Sequence, residues 1–289
     1  MPDRRGRAAE TTDFVVDAMG RATKLPDWLG NDDWDRPVLE RMPANVNYAT
    51  AFFKRGGGQP PVGLSVVSFG PRFPDRTRGV AIAVENGRWM VLLAGLDDNR
   101  PGRTEEDFLT ACAGLPPIFG EAVRGELVSE IRTYHHADSR RRTFSGLQRY
   151  PARLISVGDA VASFNPIYGQ GMSSAALHAS CLSEYLHGNP DLSVTARDFF
   201  ALQEVVVDAA WEISTSADAV RLGDPRKSSA RARLQRWILE QILAATVVDE
   251  KIASKFSAVT YMTAHPSSLA RPGTIVRAVA VGRRRKATN

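Results

Sequence analysis

One stretch of the chain restricts its fold more than any other. Residues 154–157 form a short apolar run that ends in Gly158-Asp159, and a proline-bearing loop then leads to Gly169-Gln170-Gly171 and a segment of small residues and leucines. This order predicts a buried strand, a carboxylate at its C-terminal end, and a turn that leads into a helix. Open α/β sheets bind ligands at the C-terminal ends of their strands, and the first turn of a helix offers unpaired N–H groups. We therefore expect a dinucleotide-cofactor site at this point of the chain.

The residues of this stretch resemble a flavin motif, GDAxxxxxPxxGQGxxxA, of the FAD-dependent monooxygenases related to p-hydroxybenzoate hydroxylase. The matching positions are Gly158, Asp159, Ala160, Pro166, Gly169, Gln170, Gly171 and Ala175. The resemblance implies FAD, with Asp159 at the ribityl chain, Pro166 against the isoalloxazine ring, and the amides of residues 169–171 at the pyrimidine edge of the ring. Glycine suits this position because its backbone can approach a flat ring where a Cβ would clash. The alternative is a glycine-rich turn between a core strand and a core helix.

A second motif lies near the start of the chain. Residues 13–26, DFVVDAMGRATKLP, resemble the mid-sequence motif VVDAxGRxSxxP of the same family, with Thr23 in place of the usual serine. The resemblance places Asp17, Gly20 and Arg21 in the region of the FAD diphosphate and the nicotinamide cofactor. Taken alone, an Asp-x-x-Gly pattern after a strand is also an ordinary turn.

The sequence also departs from the family in a larger respect, since it contains no GxGxxG. In that family a strand, this turn and a helix bind the FAD pyrophosphate. We therefore expect the chain to correspond to the C-terminal portion of a flavoprotein, whether truncated, completed by an N-terminal polypeptide, or a remnant. On this interpretation the chain is not expected to be active by itself.

The region between the two motifs predicts an antiparallel sheet, because short apolar runs alternate with turns, among them Asn86-Gly87. Thr104, followed by three acidic residues, predicts a capped helix start. The expected fold is mixed α/β (α+β), with a partial FAD-binding domain, an inserted antiparallel-sheet substrate domain and C-terminal helices. The predicted domains are a remnant of the FAD-binding domain (1–44), the sheet domain (45–150), the FAD-binding segment (151–190) and a C-terminal helical region (191–289). The helical region is expected to end in a basic, disordered tail over residues 283–289.

Composition excludes several other classes of protein. The net charge of +5 is concentrated in arginine clusters such as residues 140–142, which lack interleaved aromatic residues and favour solvated turns over a nucleic-acid surface. Cys112 and Cys181 are far apart, and no histidine pair has metal-ligand spacing, so we expect no metal site and a cytoplasmic, reducing compartment. No apolar run reaches membrane-spanning length. His178 is interpreted as a packed or solvent-facing helix residue.

The resemblance implies an FAD-dependent oxidoreductase, specifically a monooxygenase in which NAD(P)H reduces the flavin and O₂ supplies oxygen to an apolar or aromatic small molecule. No catalytic side chain is assigned, because the cofactor carries out the chemistry. Alternatives among flavoproteins are a saturase of isoprenoid chains and a halogenase, although the halogenase pattern WxWxIP is absent. The alternative from another class is a non-catalytic remnant or accessory subunit that does not bind FAD independently.

Overall fold

The computed structural model describes residues 12–57, 60–67, 77–223 and 229–288. The chain divides into two compact units, which we call unit 1 (residues 1–42 and 139–289) and unit 2 (residues 43–138). The strands are β1 (Val15–Asp17), β2 (Val38–Lys54), β3 (Leu64–Val67), β4 (Arg78–Val84), β5 (Arg88–Leu96), β6 (Arg132–Thr143), β7 (Leu154–Ser156) and β8 (Ala162–Ser163). The α-helices are α1 (Leu25–Asn31), α2 (Glu105–Ala113), α3 (Pro117–Ala122), α4 (Gly171–His187), α5 (Arg197–Arg221), α6 (Ala230–Thr246), α7 (Glu250–Thr260) and α8 (Pro272–Thr288).

Unit 2 contains the antiparallel sheet that the sequence predicts. Within residues 43–138 the strands lie in the order β3-β4-β5-β2-β6, which is part of a six-stranded sheet. A turn in which Asn86 and Gly87 have φ of 60° and 61° joins β4 to β5. Because side chains alternate along a strand, Ala51 and Phe53 of β2 share one face, which packs against Phe108 of α2 and Phe119 of α3. As predicted, the side chain of Thr104 caps α2 by accepting a hydrogen bond from the N–H of Asp107 at 3.1 Å.

Unit 1 brings the two sequence motifs into one small sheet. β1 lies parallel to β7, with Val15 opposite Leu154 and Asp17 opposite Ser156. Beside this sheet, Ile155 belongs to a core in which Phe144 and Phe200 stack with ring centroids 5.4 Å apart. The predicted strand and helix around the Gly-Asp pair are therefore confirmed, as β7 and α4.

The C-terminal part of unit 1 is helical, as expected. α6, α7 and α8 share a small core that includes Ile242, Ile252 and Ala278. Asp249 caps α7 and pairs with Arg277 of α8 at 2.8 Å. The disordered tail that the sequence suggests from residue 283 stays a prediction.

Candidate flavin site in unit 1

Two short 3₁₀ turns carry four of the predicted site residues, Gly20, Arg21, Gly158 and Asp159. Gly20–Ala22 follows β1, and Gly158–Ala160 follows β7. These turns pack against each other, and the second also packs against α4. The parallel pairing of β1 with β7 therefore places both motifs at the same C-terminal edge.

Asp17 is buried and fully engaged within unit 1. One carboxylate oxygen, Oδ1, accepts from the backbone N–H of Met19 at 3.1 Å. The other, Oδ2, accepts from the hydroxyls of Thr23 at 2.8 Å and Ser156 at 3.1 Å. With 5% of its surface exposed, Asp17 ties the first turn to β7.

Asp159 differs from Asp17 both in its burial and in the hydrogen bonding of its carboxylate. It is half-buried, and its carboxylate accepts no hydrogen bond from any residue that the structure describes. It follows Gly158, whose φ of 59° lies in the left-handed region that favours glycine. This carboxylate is therefore available to a hydrogen-bond donor from outside the chain.

The backbone around Asp159 is fixed by buried side chains from three different elements. Gln203 of α5 donates to the carbonyl of Ser156 at 2.8 Å. Arg142 of β6 donates to the carbonyl of Ala160 at 2.9 Å. His178 of α4 accepts from the N–H of Gly158 at 2.8 Å. The turn is thus held rigidly while the side chain of Asp159 remains unengaged.

The arginine cluster at residues 140–142 is not the solvated turn that the sequence predicted. It lies in β6, where Arg142 is buried and Arg141 pairs with Glu40 at 3.0 Å and Asp208 at 2.6 Å. Burial lowers the pKa of Arg142. Neighbouring Arg140, Arg21 and Arg41 lower it further, whereas Asp17 raises it. Arg21 also donates to the hydroxyl of Ser163 at 3.3 Å. Several arginine side chains therefore lie near the turn Gly20–Ala22, where their positive charge would favour binding of an anionic group.

The predicted glycines at the start of α4 face open space. Gly169 has a φ of 66°, and a Cβ at Gly169 or Gly171 would meet no atom within 4 Å. The N-cap residue, Gln170, makes no side-chain capping bond, so N–H groups of the first turn stay available. A Cβ at Gly20 would likewise meet no atom within that distance.

The loop before α4 is anchored even though Pro166 is exposed. The side chain of Asn165 accepts from the N–H of Ile167 at 3.1 Å and donates to Asp218 of α5 at 3.0 Å. Asn165 and Asp218 are both buried. The loop therefore presents Pro166 on a fixed backbone.

One buried side of α4 is polar. The atoms Oε1 of Gln170, Oγ of Ser174 and Nε2 of His178 are buried and have no hydrogen-bond partner among the described residues. Their spacing of four residues puts them on the same side of the helix. The spacing was readable in the sequence, but nothing there indicated that this side would be buried.

These features fit a flavin. An unengaged carboxylate suits the hydroxyls of a ribityl chain, open glycine backbone suits a flat ring, and clustered arginines suit a diphosphate. No group of three or more His, Cys, Asp or Glu side chains in the described part of the chain is arranged to hold a metal ion. Among the same residues, no helix has both the length and the apolar character needed to cross a bilayer.

Solved structures share this fold. A flavoprotein/dehydrogenase from Cytophaga hutchinsonii superposes with a TM-score of 0.57 and 16% identity over 96% of this chain and 62% of that chain. The tetrameric form of 2-methyl-3-hydroxypyridine-5-carboxylic acid oxygenase gives a TM-score of 0.54 and 16% identity, over 75% of this chain and 56% of that chain. The chain therefore has the mixed α/β fold found in part of these flavoprotein and oxygenase structures.

Curated proteins are also similar to this chain in sequence. Protein Rv3254 of Mycobacterium tuberculosis is 33% identical over 188 residues, which are 64% of this chain and 39% of that protein. Kynurenine 3-monooxygenase of Salinispora arenicola is 32% identical over 140 residues, 44% of this chain and 31% of that enzyme. The chain thus covers well under half the length of the curated relatives it matches. No family model matches the sequence.

Proposed function

We propose that the chain forms the ribityl and isoalloxazine side of the FAD site of an FAD-dependent oxidoreductase, and that this enzyme is a monooxygenase. The observation that carries the proposal is the carboxylate of Asp159, half-buried on a fixed turn and without a partner among the described residues. The similarity to kynurenine 3-monooxygenase and the oxygenase-like fold support the same class of reaction.

In this proposal Asp159 accepts hydrogen bonds from ribityl hydroxyls. Such bonds are charge-assisted, and each contributes about 1.5–3 kcal/mol to binding. Gly158 places the carboxylate, while Pro166 and the backbone of Gly169, Gln170 and Gly171 line the flat ring. Gly20 and Arg21 lie beside the diphosphate, where positive charge is favourable.

A bound FAD would accept electrons from NAD(P)H and activate O₂, which is chemistry that amino-acid side chains cannot supply. The residues of the chain position this group and present fixed dipoles to it. The first turn of α4 points unpaired N–H groups toward whatever lies at its start, and such preorganised dipoles stabilise negative charge without moving. The absence of an assigned catalytic side chain is consistent with this division of roles.

The proposed substrate is an apolar or aromatic small molecule, because the second face of the unit 2 sheet carries a group of five neighbouring apolar side chains. Phe52, Met90 and Ile82 lie side by side across β2, β5 and β4. Leu92 and Val80 continue this surface in the next row. All five are half-buried, so the face is not part of the core that packs on α2 and α3.

The experiment is a titration of the full chain with riboflavin and FAD up to about millimolar, followed by flavin fluorescence. We expect saturable binding of both ligands. Asp159→Asn should raise the dissociation constant about tenfold or more, because the neutral amide loses charge-assisted bonds. Glu184→Gln, an exposed substitution on α4, is the matched control and should leave binding unchanged.

Equal affinity of the parent and the Asp159→Asn variant would refute the assignment of Asp159. If a folded chain bound neither ligand, the alternative would be favoured, a non-catalytic protein that does not bind FAD by itself. The missing GxGxxG is the observation behind that alternative.

A further inference from the structure

His178 lies in the middle of α4 with 0% of its surface exposed. Its Nδ1 accepts a hydrogen bond from the N–H of Gly158 at 2.8 Å. Because Nδ1 is the acceptor, the neutral ring carries its proton on Nε2. Burial lowers the pKa of His178 to about 4, so the ring is neutral at physiological pH and remains able to accept.

The bond to Gly158 controls the residue that follows it in the chain. Gly158 is in the left-handed conformation. It directly precedes Asp159, so the position of its backbone sets the direction in which the Asp159 side chain leaves the turn. Gln203 and Arg142 hold carbonyls on either side of Asp159. The N–H is held by His178. Loss of that acceptor would leave the partly buried N–H of Gly158 unpaired. It would also remove one of the three side-chain hydrogen bonds that hold the turn.

Packing alone does not account for an imidazole at this position. The same buried side of α4 carries Oγ of Ser174 and Oε1 of Gln170, both without partners among the described residues. A side chain needed only for its volume would be apolar at a site with no exposed surface, because buried polar atoms cost free energy unless they are hydrogen-bonded. What the imidazole provides here, and an apolar side chain could not, is the acceptor Nδ1 for the N–H of Gly158.

We propose that His178 is a positioning residue that fixes the carboxylate of Asp159 through the N–H of Gly158 and thereby sets the affinity of this turn for a polyhydroxyl chain such as that of a flavin. The inference rests on the proposed flavin site. It goes beyond that proposal by assigning the affinity to a buried residue that does not contact the ligand.

The first test needs no flavin. Amide hydrogen exchange at Gly158 is followed by NMR in the full chain labelled with ¹⁵N-glycine. His178→Leu removes the acceptor at similar volume and should speed exchange about tenfold or more, whereas His178→Asn keeps an acceptor near Nδ1 and should retain most of the protection. His187→Leu, an exposed histidine change on the same helix, should leave the Gly158 amide unchanged.

The second test is flavin affinity of the same variants. His178→Leu should weaken riboflavin binding about tenfold, and His178→Asn should restore most of it, which a merely structural role would not predict. Unchanged Gly158 exchange in His178→Leu would overturn the inference. Changed exchange with unchanged affinity would remove its link to the ligand. If the parent chain bound no flavin while His178→Leu still speeded exchange at Gly158, the proposed function would be refuted but the hydrogen bond from Gly158 to His178 would stand.

If His178→Leu does not fold, the parent protein still decides the matter. Ring ¹⁵N signals of His178 should show an unprotonated Nδ1 and a protonated Nε2 at neutral pH. A protonated Nδ1 would exclude the bond to Gly158 and would overturn the inference.

Discussion

Acid should destabilise this protein through His178 in a defined range of pH. The ring has a pKa of about 4 in the folded chain because it is buried, and an exposed imidazole in the unfolded chain has a pKa near 6.5. When the pKa of a group is lower in the folded chain than in the unfolded one, the free energy of unfolding is highest above the unfolded pKa. It decreases as the pH falls toward the folded pKa, because the unfolded chain then binds the proton more readily. The relevant window therefore runs from about pH 6.5 down to about pH 4.

The size of the effect follows from the two pKa values. At about 1.4 kcal/mol for each pH unit, the unfolding free energy should fall by about 1.4 kcal/mol between neutral pH and about pH 5.5, and by about 3 kcal/mol in total by about pH 4. This loss is a large fraction of the stability of an ordinary domain.

The assay is urea unfolding followed by circular dichroism at about pH 7.5 and about pH 5.5, for the parent chain and for His178→Asn. Carboxylates also titrate at low pH, so the quantity that tests the argument is the difference between the two proteins. The parent should lose about 1.4 kcal/mol more than the variant over this interval. His187→Asn, on an exposed face of α4, should behave as the parent does.

Parallel pH dependence of the parent and His178→Asn would refute the reasoning. It would mean that the ring binds a proton as readily in the folded chain as in the unfolded one. Neither its burial nor its role as an acceptor for Gly158 could then be correct.

Two further predictions concern the carboxylate and the glycine backbone of the site. Asp17→Ala should lower the unfolding free energy by about 3–5 kcal/mol, because it leaves two buried hydroxyls and one part-buried N–H without their acceptor. Asp159→Ala should change stability by less than about 0.5 kcal/mol and affect only flavin binding. Urea unfolding of both variants measures this, and equal losses would contradict it. Gly171→Val should leave the thermal midpoint of the chain nearly unchanged, since a Cβ at this position meets no atom within 4 Å. It should abolish flavin binding, because the added side chain occupies the approach to the backbone. A Gly171→Val chain that bound flavin normally would show that the ring does not lie there.

The sequence by itself determined the features that depend on neighbouring residues. The alternation of apolar residues and the Asn86-Gly87 pair specified an antiparallel hairpin, because strand period and turn conformation are local properties. Thr104 followed by acidic residues specified a helix start for the same reason. The apolar run before Gly158 specified β7, and the small residues after Gly171 specified α4.

Only the tertiary structure decided how the two predicted motifs meet and what supports them. Asp17 and Ser156 are 139 residues apart along the chain, and their hydrogen bond exists because β1 pairs with β7. The sequence gives no sign that Asp17 is engaged within the chain while Asp159 is not. It also gives no sign that His178 and Arg142 hold the turn, because a polar side chain shows its partner only when distant elements pack together and bury both groups.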